Sequence, residues 1–441
     1  MFLPGHYPDR VTTAPERTDD RLPAADRLGL RTRIALHAGR LAGGLSRRLG
    51  RGSGVVVRGR VVLALDPDAL SALASGRRSV VITGTNGKST TTRLVAAALG
   101  GSVATNSTGA NMGPGIVSAL DDCDARSAVL EADELHVPSV MRATRPEVVV
   151  ALNLTRDQLD RTHEVSRTSQ VWARAFTAQP GVVVVANAAD PHVADAASSG
   201  RPIWVDPGLR WTEDASVCPR CGAVLDWSQP GAGSGTEALS RWSCRCGFAM
   251  PTPDYALTAD GVRLPDGAHL AFDLRLPGEV NRGNAIFAIA AAVALGVPAE
   301  QAADRVGAVE VVDGRYATLD LDGRQAPLLL AKNPAGWAAA LSMIPDDAVM
   351  AIGINARIAD GTDTSWLWDV PFERLAGRVV GATGDRRDDL AVRLHYAGAT
   401  PVVEADLVRL AHLLPEGPMV VAANYTAFRE MRRYVEGGLN A

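Results

Sequence analysis

Residues Val80 to Thr91 read Val-Val-Ile-Thr-Gly-Thr-Asn-Gly-Lys-Ser-Thr-Thr. An apolar, β-branched run enters a glycine-rich turn, and a helix-forming run from Thr92 to Leu99 leaves it. That order is strand, phosphate loop, helix. Glycines let backbone N–H groups turn toward phosphate oxygens, and the helix N-terminus adds positive potential. Lys88 has the reach for the β- and γ-phosphates, and the Ser89 hydroxyl suits Mg²⁺. The bland alternative is a surface lysine on a glycine-rich turn. Composition weighs against it: lysine occurs only at positions 88 and 332, and every other basic residue apart from histidine is arginine. A chain that otherwise uses arginine yet keeps lysine here needs a compact ammonium. Gly84, Thr85, Asn86, Gly87, Lys88, Ser89 and Thr90 are therefore the candidate nucleotide contacts.

A chain of 441 residues has room for two or three domains. Its net charge of −4 argues against a general nucleic-acid binder. No run reaches the roughly 18–20 apolar residues of a membrane span. Met1 to Pro8 lacks the basic-then-apolar pattern of a signal peptide. The expectation is a cytoplasmic protein.

Residues 1–30, rich in Pro, Asp, Arg and Thr, are expected to be poorly ordered. Residues 31–60 carry eight arginines and no acid. Ile34, Leu36, Leu41, Leu45 and Leu49 make a helical stripe, weakened by Gly43 and Gly44. Such a basic helix either lies near anionic lipid headgroups or packs with a solvated arginine face. Val55–Leu63 reads as a short strand or hairpin. From residue 80 strands and helices alternate. Ser127–Glu131, Glu147–Asn153 and Gly181–Asn187 are continuous apolar strands, which implies a parallel sheet covered on both faces. Functional groups then collect at the strand C-terminal ends, where Glu131, Asn153 and Asn187 sit beside the phosphate loop.

Residues 205–255 break the alternation. Cys218-Pro-Arg-Cys221-Gly precedes Cys244-Arg-Cys246-Gly, with a Gly/Ser/Pro loop from Ser228 to Thr236 between them. Two cysteine knuckles resemble a zinc ribbon, although the second is C-x-C rather than C-x-x-C. Four thiolates with no spare ligand make a closed structural site for zinc or iron; thiol redox chemistry is the competitor. Cys123 stands apart, as a small core residue. A zinc-ribbon nucleic-acid protein is opposed by the acidic balance and the few aromatics around the cysteines.

Pro277 to Asn284 opens an alanine-rich helix from Ala285 to Leu295. A strand-like Val309–Val312 precedes Gly314-Arg315. Strands at Leu328–Ala331, Val349–Ile354, Arg378–Gly381 and Pro418–Ala423 indicate a second α/β unit. The expected divisions are a basic N-terminal extension at 1–50, a central ATP-binding domain at 51–310 with the ribbon inserted, and a C-terminal domain at 311–441.

Thr83-Gly-Thr-Asn-Gly-Lys-Ser-Thr90 resembles the ATP loop of the Mur ligase and folylpolyglutamate synthase family. Glu131 resembles its Mg²⁺-binding glutamate, unless it is an ordinary strand-end carboxylate beside Asp133 and Glu134. Asn153 to Arg161 resembles the family's Asn-x-x-x-Asp-His-Leu-Asp segment, with Gln158 as a departure. Asn281 and Asn284 resemble the asparagine pair near the adenine. Gly314-Arg315 resembles the start of the C-terminal domain, whose arginine faces the γ-phosphate. Lys332-Asn333-Pro334 stands where the family has its C-terminal nucleotide contact, and His163 either approaches phosphate or metal or is a surface histidine. The resemblance spans about residues 80–440. It implies a Mur ligase central domain, a parallel sheet with a phosphate loop, followed by a second, Rossmann-like α/β domain.

The departures narrow the resemblance. Fewer than 80 residues precede the loop segment, without the pattern of a UDP-binding domain, and no lysine between 88 and 332 can be carbamylated. The four-cysteine insertion, Ala331 to Gly336, and Ala359-Asp-Gly-Thr-Asp-Thr-Ser-Trp-Leu-Trp-Asp369 are similar to the MurT branch, ATP-binding subunits that work in heterodimers with GatD-type glutamine amidotransferases. That resemblance implies ATP, Mg²⁺ and structural Zn²⁺. It implies amidation of the D-glutamate α-carboxylate of the lipid II stem peptide, at the inner membrane surface. The carboxylate would attack the γ-phosphate, and ammonia would capture the acyl phosphate. Ser89 and Glu131 would hold Mg²⁺; Lys88 and Arg315 would neutralise charge. Cys123 lies in an acidic stretch without a nucleophile elbow, so ammonia must come from elsewhere. Asp360 or Asp363, on a loop expected to project outward, would complete the partner's catalytic dyad, with Asp369 structural. Solvated loop acids are the alternative reading. Trp366 and Trp368 alternate, as in a core strand or an interface anchor. The rival activities are an amino-acid-adding ligase of the folylpolyglutamate type and a nucleotide-binding scaffold subunit.

Overall fold

The computed structural model of the chain describes residues 28–50, 53–106, 110–156, 165–208, 211–228, 241–310 and 316–436. Residues 1–27, most of Asn153–Arg161, His163, the Ser228–Thr236 loop beyond Ser228, and Gly314-Arg315 lie outside that description.

Three helices lead in: α1 (Leu30–Arg48), α2 (Val55–Leu65) and α3 (Ala69–Ala74). The expected strand or hairpin at Val55–Leu63 is therefore a helix. The β-preference of valine amounts to fractions of a kcal/mol per residue, and tertiary packing overrides it. α2 can approach its neighbours because glycines stand at the contacts. A side-chain carbon at Gly39 of α1 would lie 2.5 Å from Val62, and one at Gly59 would lie 1.9 Å from the Pro114 carbonyl.

The alternating region follows as β1 (Arg78–Thr83), α4 (Lys88–Leu99), β2 (Val103–Thr105), α5 (Gly113–Asp122), β3 (Ser127–Glu131), α6 (Val137–Thr144), β4 (Val148–Ala151), α7 (Val165–Thr177), β5 (Val183–Asn187), α8 (Pro191–Ala197) and β6 (Arg201–Asp206). The insertion holds β7 (Asp226–Ser228) and β8 (Arg241–Ser243), an antiparallel pair with Trp227 opposite Trp242. Then come β9 (Tyr255–Leu257), β10 (Gly261–Arg263) and β11 (His269–Ala271), and the helices α9 (Glu279–Ala294) and α10 (Ala299–Gly307).

One nine-stranded sheet runs β11-β10-β9-β6-β5-β4-β1-β3-β2. Every pair from β9 to β2 is parallel, and β9-β10-β11 closes the edge antiparallel. The chain leaves β1 toward β2 and β3 and later returns to its other side with β4. The order reverses at β1/β4, which opens a crevice at their C-terminal ends. Alternate residues of β1 feed opposite cores: Val81 joins the side of α2, α5, α6 and α7, while Val80 and Ile82 join the side of α4, α9 and α10. This produces the continuous apolar runs of the sequence. Arg305 of α10 donates to the carbonyls of Ala98 and Leu99 and so finishes the C-terminal end of α4.

A second sheet is built from β12 (Tyr316–Leu321), β13 (Arg324–Leu330), α11 (Pro334–Ser342), β14 (Val349–Gly353), β15 (Val379–Thr383), α12 (Arg387–Tyr396), β16 (Thr400–Val403), α13 (Leu407–Leu413), β17 (Met419–Ala423) and α14 (Tyr425–Glu436). Its order is β12-β13-β17-β14-β15-β16, parallel except for the β12–β13 hairpin. Val309 and Glu310 belong to no strand; Val311 and Val312 lie outside the described residues. Trp366 and Trp368 sit in a 3₁₀ turn, Ser365–Asp369, rather than in a core strand.

Gly59→Ala should cost about 1–3 kcal/mol in denaturant unfolding, because both helix backbones would have to separate. Gly44→Ala, at a place where an added carbon meets nothing within 4 Å, should gain up to about 1 kcal/mol from helix propensity. A neutral Gly59→Ala would contradict the close α2–α5 packing.

Candidate functional site

The turn between β1 and α4 is held by the end of β4. Thr85 N–H donates to the Asn153 carbonyl at 3.0 Å, and Asn86 N–H donates to Asn153 Oδ1 at 2.8 Å. Asn153 Nδ2 donates back to the Asn86 carbonyl at 3.0 Å. Thr85 and Thr155 add a hydroxyl–backbone pair. Gly84, at φ 139°, lies so close to β4 that a side-chain carbon would be 2.8 Å from Leu152 Cβ. Gly87, at φ 87°, is the left-handed residue that turns the loop into α4; a carbon there would meet Asn284 Oδ1 at 2.8 Å. Both glycines are therefore required by conformation and by space.

Lys88 is buried at the first turn of α4. Its ammonium donates to the Gly84 and Thr85 carbonyls and pairs with Glu134 at 3.3 Å. Trp172 Nε1 holds the Glu134 backbone carbonyl at 2.9 Å. The Ser89 hydroxyl donates to Glu131 Oε2 at 2.8 Å. Glu131 is buried, and its backbone exchanges two hydrogen bonds with the Asn106 side chain. A hydroxyl and a buried carboxylate, side by side at a phosphate loop, are the oxygen ligands that Mg²⁺ takes. These residues fit such an ion.

The crevice is a cavity of about 350 Å³. Asn86, Gly87 and Thr90 form its floor, Asn281 and Asn284 of α9 one wall, and Ala335 and Gly336 of α11 the opposite rim. Asn281 Nδ2 donates to the Pro277 carbonyl at 2.6 Å. A carbon at Gly336 would lie 3.6 Å from Asn86 Oδ1, so α11 of the second sheet faces the phosphate loop. Asn333 caps α11, its Oδ1 accepting from Gly336 N–H at 2.9 Å. Its Nδ2 is buried with no acceptor among the described residues. Lys332 lines a smaller recess with Asn333, Arg156, Asp360 and Asp369.

Several lining residues had no sequence signal of their own. Asp190 caps α8 and receives Leu154 N–H at 2.8 Å, and burial pushes its carboxyl above the usual range. Asp-Pro at a helix start was the available clue. Trp211 and Asp214, which lead into the cysteine insertion, also line the cavity. Asp214 pairs with Arg156, which reaches across to Asp369 at 3.4 Å. Asn187, by contrast, is the strand-end residue named from the sequence, and its Nδ2 donates to the Leu152 carbonyl at 2.7 Å.

The outward loop expected at 360–369 is split. Asp360 is only 8% exposed. Its Oδ1 accepts from Thr426 N–H at 2.9 Å and its Oδ2 from the Thr426 hydroxyl, at the start of α14. Asp360 therefore does not project. Asp363 is exposed, and the Ser365 N–H at 2.8 Å holds its carboxyl below the usual range. Trp366 is buried, while Trp368 is 56% exposed beside the exposed Tyr396.

The sulfurs of Cys218, Cys221, Cys244 and Cys246 all lie within 4.8 Å of one another. The Cys218–Cys246 and Cys221–Cys244 separations are 3.8 and 3.5 Å. Tetrahedral thiolates about 2.3 Å from a zinc ion stand about 3.8 Å apart, so the cluster fits that ion. Gly222 and Gly247, at φ 71° and 87°, turn each knuckle. Phe248 N–H brings the Cys246 thiol down to about 7. Trp242, Phe248 and Met250 seat the ribbon on Ala188, Ala189 and Ala194. Elemental analysis should find one zinc per chain, lost in Cys221→Ser together with amide-exchange protection over residues 215–228 and 241–250. A protected, metal-free wild-type chain would contradict this.

Residues 82–205 match the Mur ligase middle domain, and residues 330–428 match the MurT ligase C-terminal domain. The chain is 30% identical over 440 residues to the MurT subunit of the glutamine-hydrolysing lipid II isoglutaminyl synthase of Streptococcus pneumoniae, covering 92% of this chain and 97% of that one. It is 29% identical over 445 residues to the corresponding Staphylococcus aureus subunit, covering 93% and 100%. In fold it is similar to a pseudomurein peptide ligase type C from Methanothermus fervidus, with TM-score 0.66, 18% identity, and 86% and 84% of the two chains covered. It is also similar to MurF from Acinetobacter baumannii, with TM-score 0.60, 15% identity, and 86% and 80% covered. The chain thus belongs to the MurT family, within the Mur ligase fold.

Proposed function

We propose that this chain is the ATP-consuming subunit of a lipid II isoglutaminyl synthase, paired with a GatD-type glutaminase. Residues 51–310 serve as the ATP-binding unit and residues 311–441 as the MurT-type unit. The observation that carries the reading is the cluster of Lys88, Ser89 and Glu131, whose Lys88 and Ser89 stand on the same loop and helix turn as Asn86, Gly87 and Thr90, which line a cavity that two sheets share.

A carboxylate is a poor electrophile until one oxygen becomes part of a good leaving group. In the proposed reaction the D-glutamate α-carboxylate of lipid II attacks the γ-phosphorus of ATP, and ADP departs. Ammonia attacks the acyl carbon, loses a proton, and phosphate leaves with one former carboxylate oxygen. Two anions must meet in the first step. Lys88 places a desolvated ammonium beside the loop, where its charge is weakly screened. Mg²⁺, held by Ser89 and Glu131, would supply further neutralisation of the phosphates. Asn281 and Asn284 line the cavity wall proposed for the base, Ala335 and Gly336 face it from the second sheet, and Lys332 and Asn333 line a separate, smaller recess. Arg315 is proposed at the γ-phosphate side.

The ammonia source lies outside this chain. Four of its five cysteines converge on the ribbon cluster, and Cys123 packs half-buried against the core of the first sheet. Asp363 is the exposed carboxylate available to orient a partner histidine, with Asp360 fixing the base of its loop through Thr426. Exposed Ile358, Trp368 and Tyr396 provide apolar contact area around that segment.

The test uses the chain, a GatD-type glutaminase, lipid II, ATP-Mg²⁺ and glutamine, with mass spectrometry of the stem peptide. Wild type should convert one carboxylate to a carboxamide. Lys88→Ala should lower the rate at least about a hundredfold with either glutamine or ammonium as nitrogen donor. Asp363→Asn should abolish the glutamine-dependent reaction and keep the ammonium-dependent one. ADP formed only with an added amino acid or folate would overturn the reading.

A further inference from the structure

We infer that α1 forms a docking surface for an anionic lipid bilayer. The observation is the inverted amphipathicity of α1. Its buried face is made mostly of small residues, Thr32, Ala35, Gly39, Gly43 and Ser46, with a single leucine, Leu36, which leaves the stripe expected from the sequence and enters the first core. Its other large apolar residues point the other way. Leu30, Ile34, Leu41 and Leu45 are 58–77% exposed and fall within one narrow stripe at 100° per residue. A helix held only by its own core would put its leucines inward.

The charge pattern names the occupant. Residues 28–65 contain eight arginines and no acid. Arg40 and Arg58 are used internally, pairing with Asp121 and Asp122 of α5, and these ion pairs fix α1 and α2 to that helix. Arg31 donates to the Leu65 carbonyl. Arg33, Arg47, Arg48 and Arg60 are exposed and have no carboxylate partner among the described residues. An aliphatic stripe beside uncompensated guanidiniums matches the headgroup–acyl boundary of an anionic membrane, where leucines enter the apolar layer and arginines meet phosphates. A protein partner would be expected to meet aromatic anchors, and leucine is under-represented among interface hot spots. The stripe carries no aromatic residue. Among the described residues no helix is long and apolar enough to cross a membrane, so the attachment is to the surface. It rests on the proposed lipid-linked substrate only for its biological context.

The full-length chain is sedimented with vesicles of phosphatidylcholine alone or mixed with phosphatidylglycerol. Partition onto the anionic vesicles should exceed that onto neutral ones at least about tenfold and fall with added salt. Ile34→Ser/Leu41→Ser/Leu45→Ser and Arg47→Gln/Arg48→Gln should each lower it by about tenfold, with unchanged circular dichroism and melting. Equal partition onto both vesicle types, or variants that bind as wild type, would overturn the proposal. So would a serine variant that changes the oligomeric state or loses a purified glutaminase partner, since a protein would then cover the face. Amidation of detergent-dispersed lipid II reads the ligase chemistry separately.

Discussion

The cleft between the two sheets depends on a strand that does not carry the phosphate loop. Asn153, at the end of β4, grips the loop through the backbones of Thr85 and Asn86 in three hydrogen bonds. Each is worth about 1 kcal/mol net, and together they fix a turn that would otherwise lose much of its order. The topology makes the grip possible. β4 lies beside β1 because the strand order reverses there, and Gly84 allows the two chains to touch. Lys88, Ser89 and Glu131 then fall into place as consequences of register: Ile82 pairs with Glu131, and Glu131 thereby meets the first turn of α4.

The second sheet completes the site from across the crevice. The N-terminus of α11 faces Asn86, and Asn333 caps that helix while leaving its own Nδ2 buried and unspent among the described residues. Arg156 joins the two sides, with Asp214 from the insertion on one hand and Asp369 from the 3₁₀ turn on the other. The cysteine ribbon thus has a structural reason to be where it is. It anchors the arm that carries Trp211 and Asp214 into the cavity wall.

Much of this was legible in the chain. The strand–loop–helix signal, the parallel strands, the cysteine knuckles and the strand-end residues Glu131, Asn153 and Asn187 follow from local pattern and from the rule that sites gather at strand C-termini. Val55–Leu63 misled because valine's β-preference is weaker than the packing made possible by glycines 39 and 59, distant contacts that no window reveals. The same limit hid Glu134, Asp214 and Arg156, whose meaning lies in partners 46, 58 and more residues away. Asp360 looked like Asp363 in the sequence. Only the return of α14 against the loop makes one a buried cap and leaves the other on the surface.

The central claim is that the carboxylate is activated by phosphoryl transfer at the Lys88–Ser89–Glu131 cluster. Lipid II carrying ¹⁸O in the D-glutamate α-carboxylate tests it directly, with ATP and ammonium as co-substrates. One ¹⁸O should appear in the inorganic phosphate for each carboxamide formed. Carboxamide formation with unlabelled phosphate would contradict it.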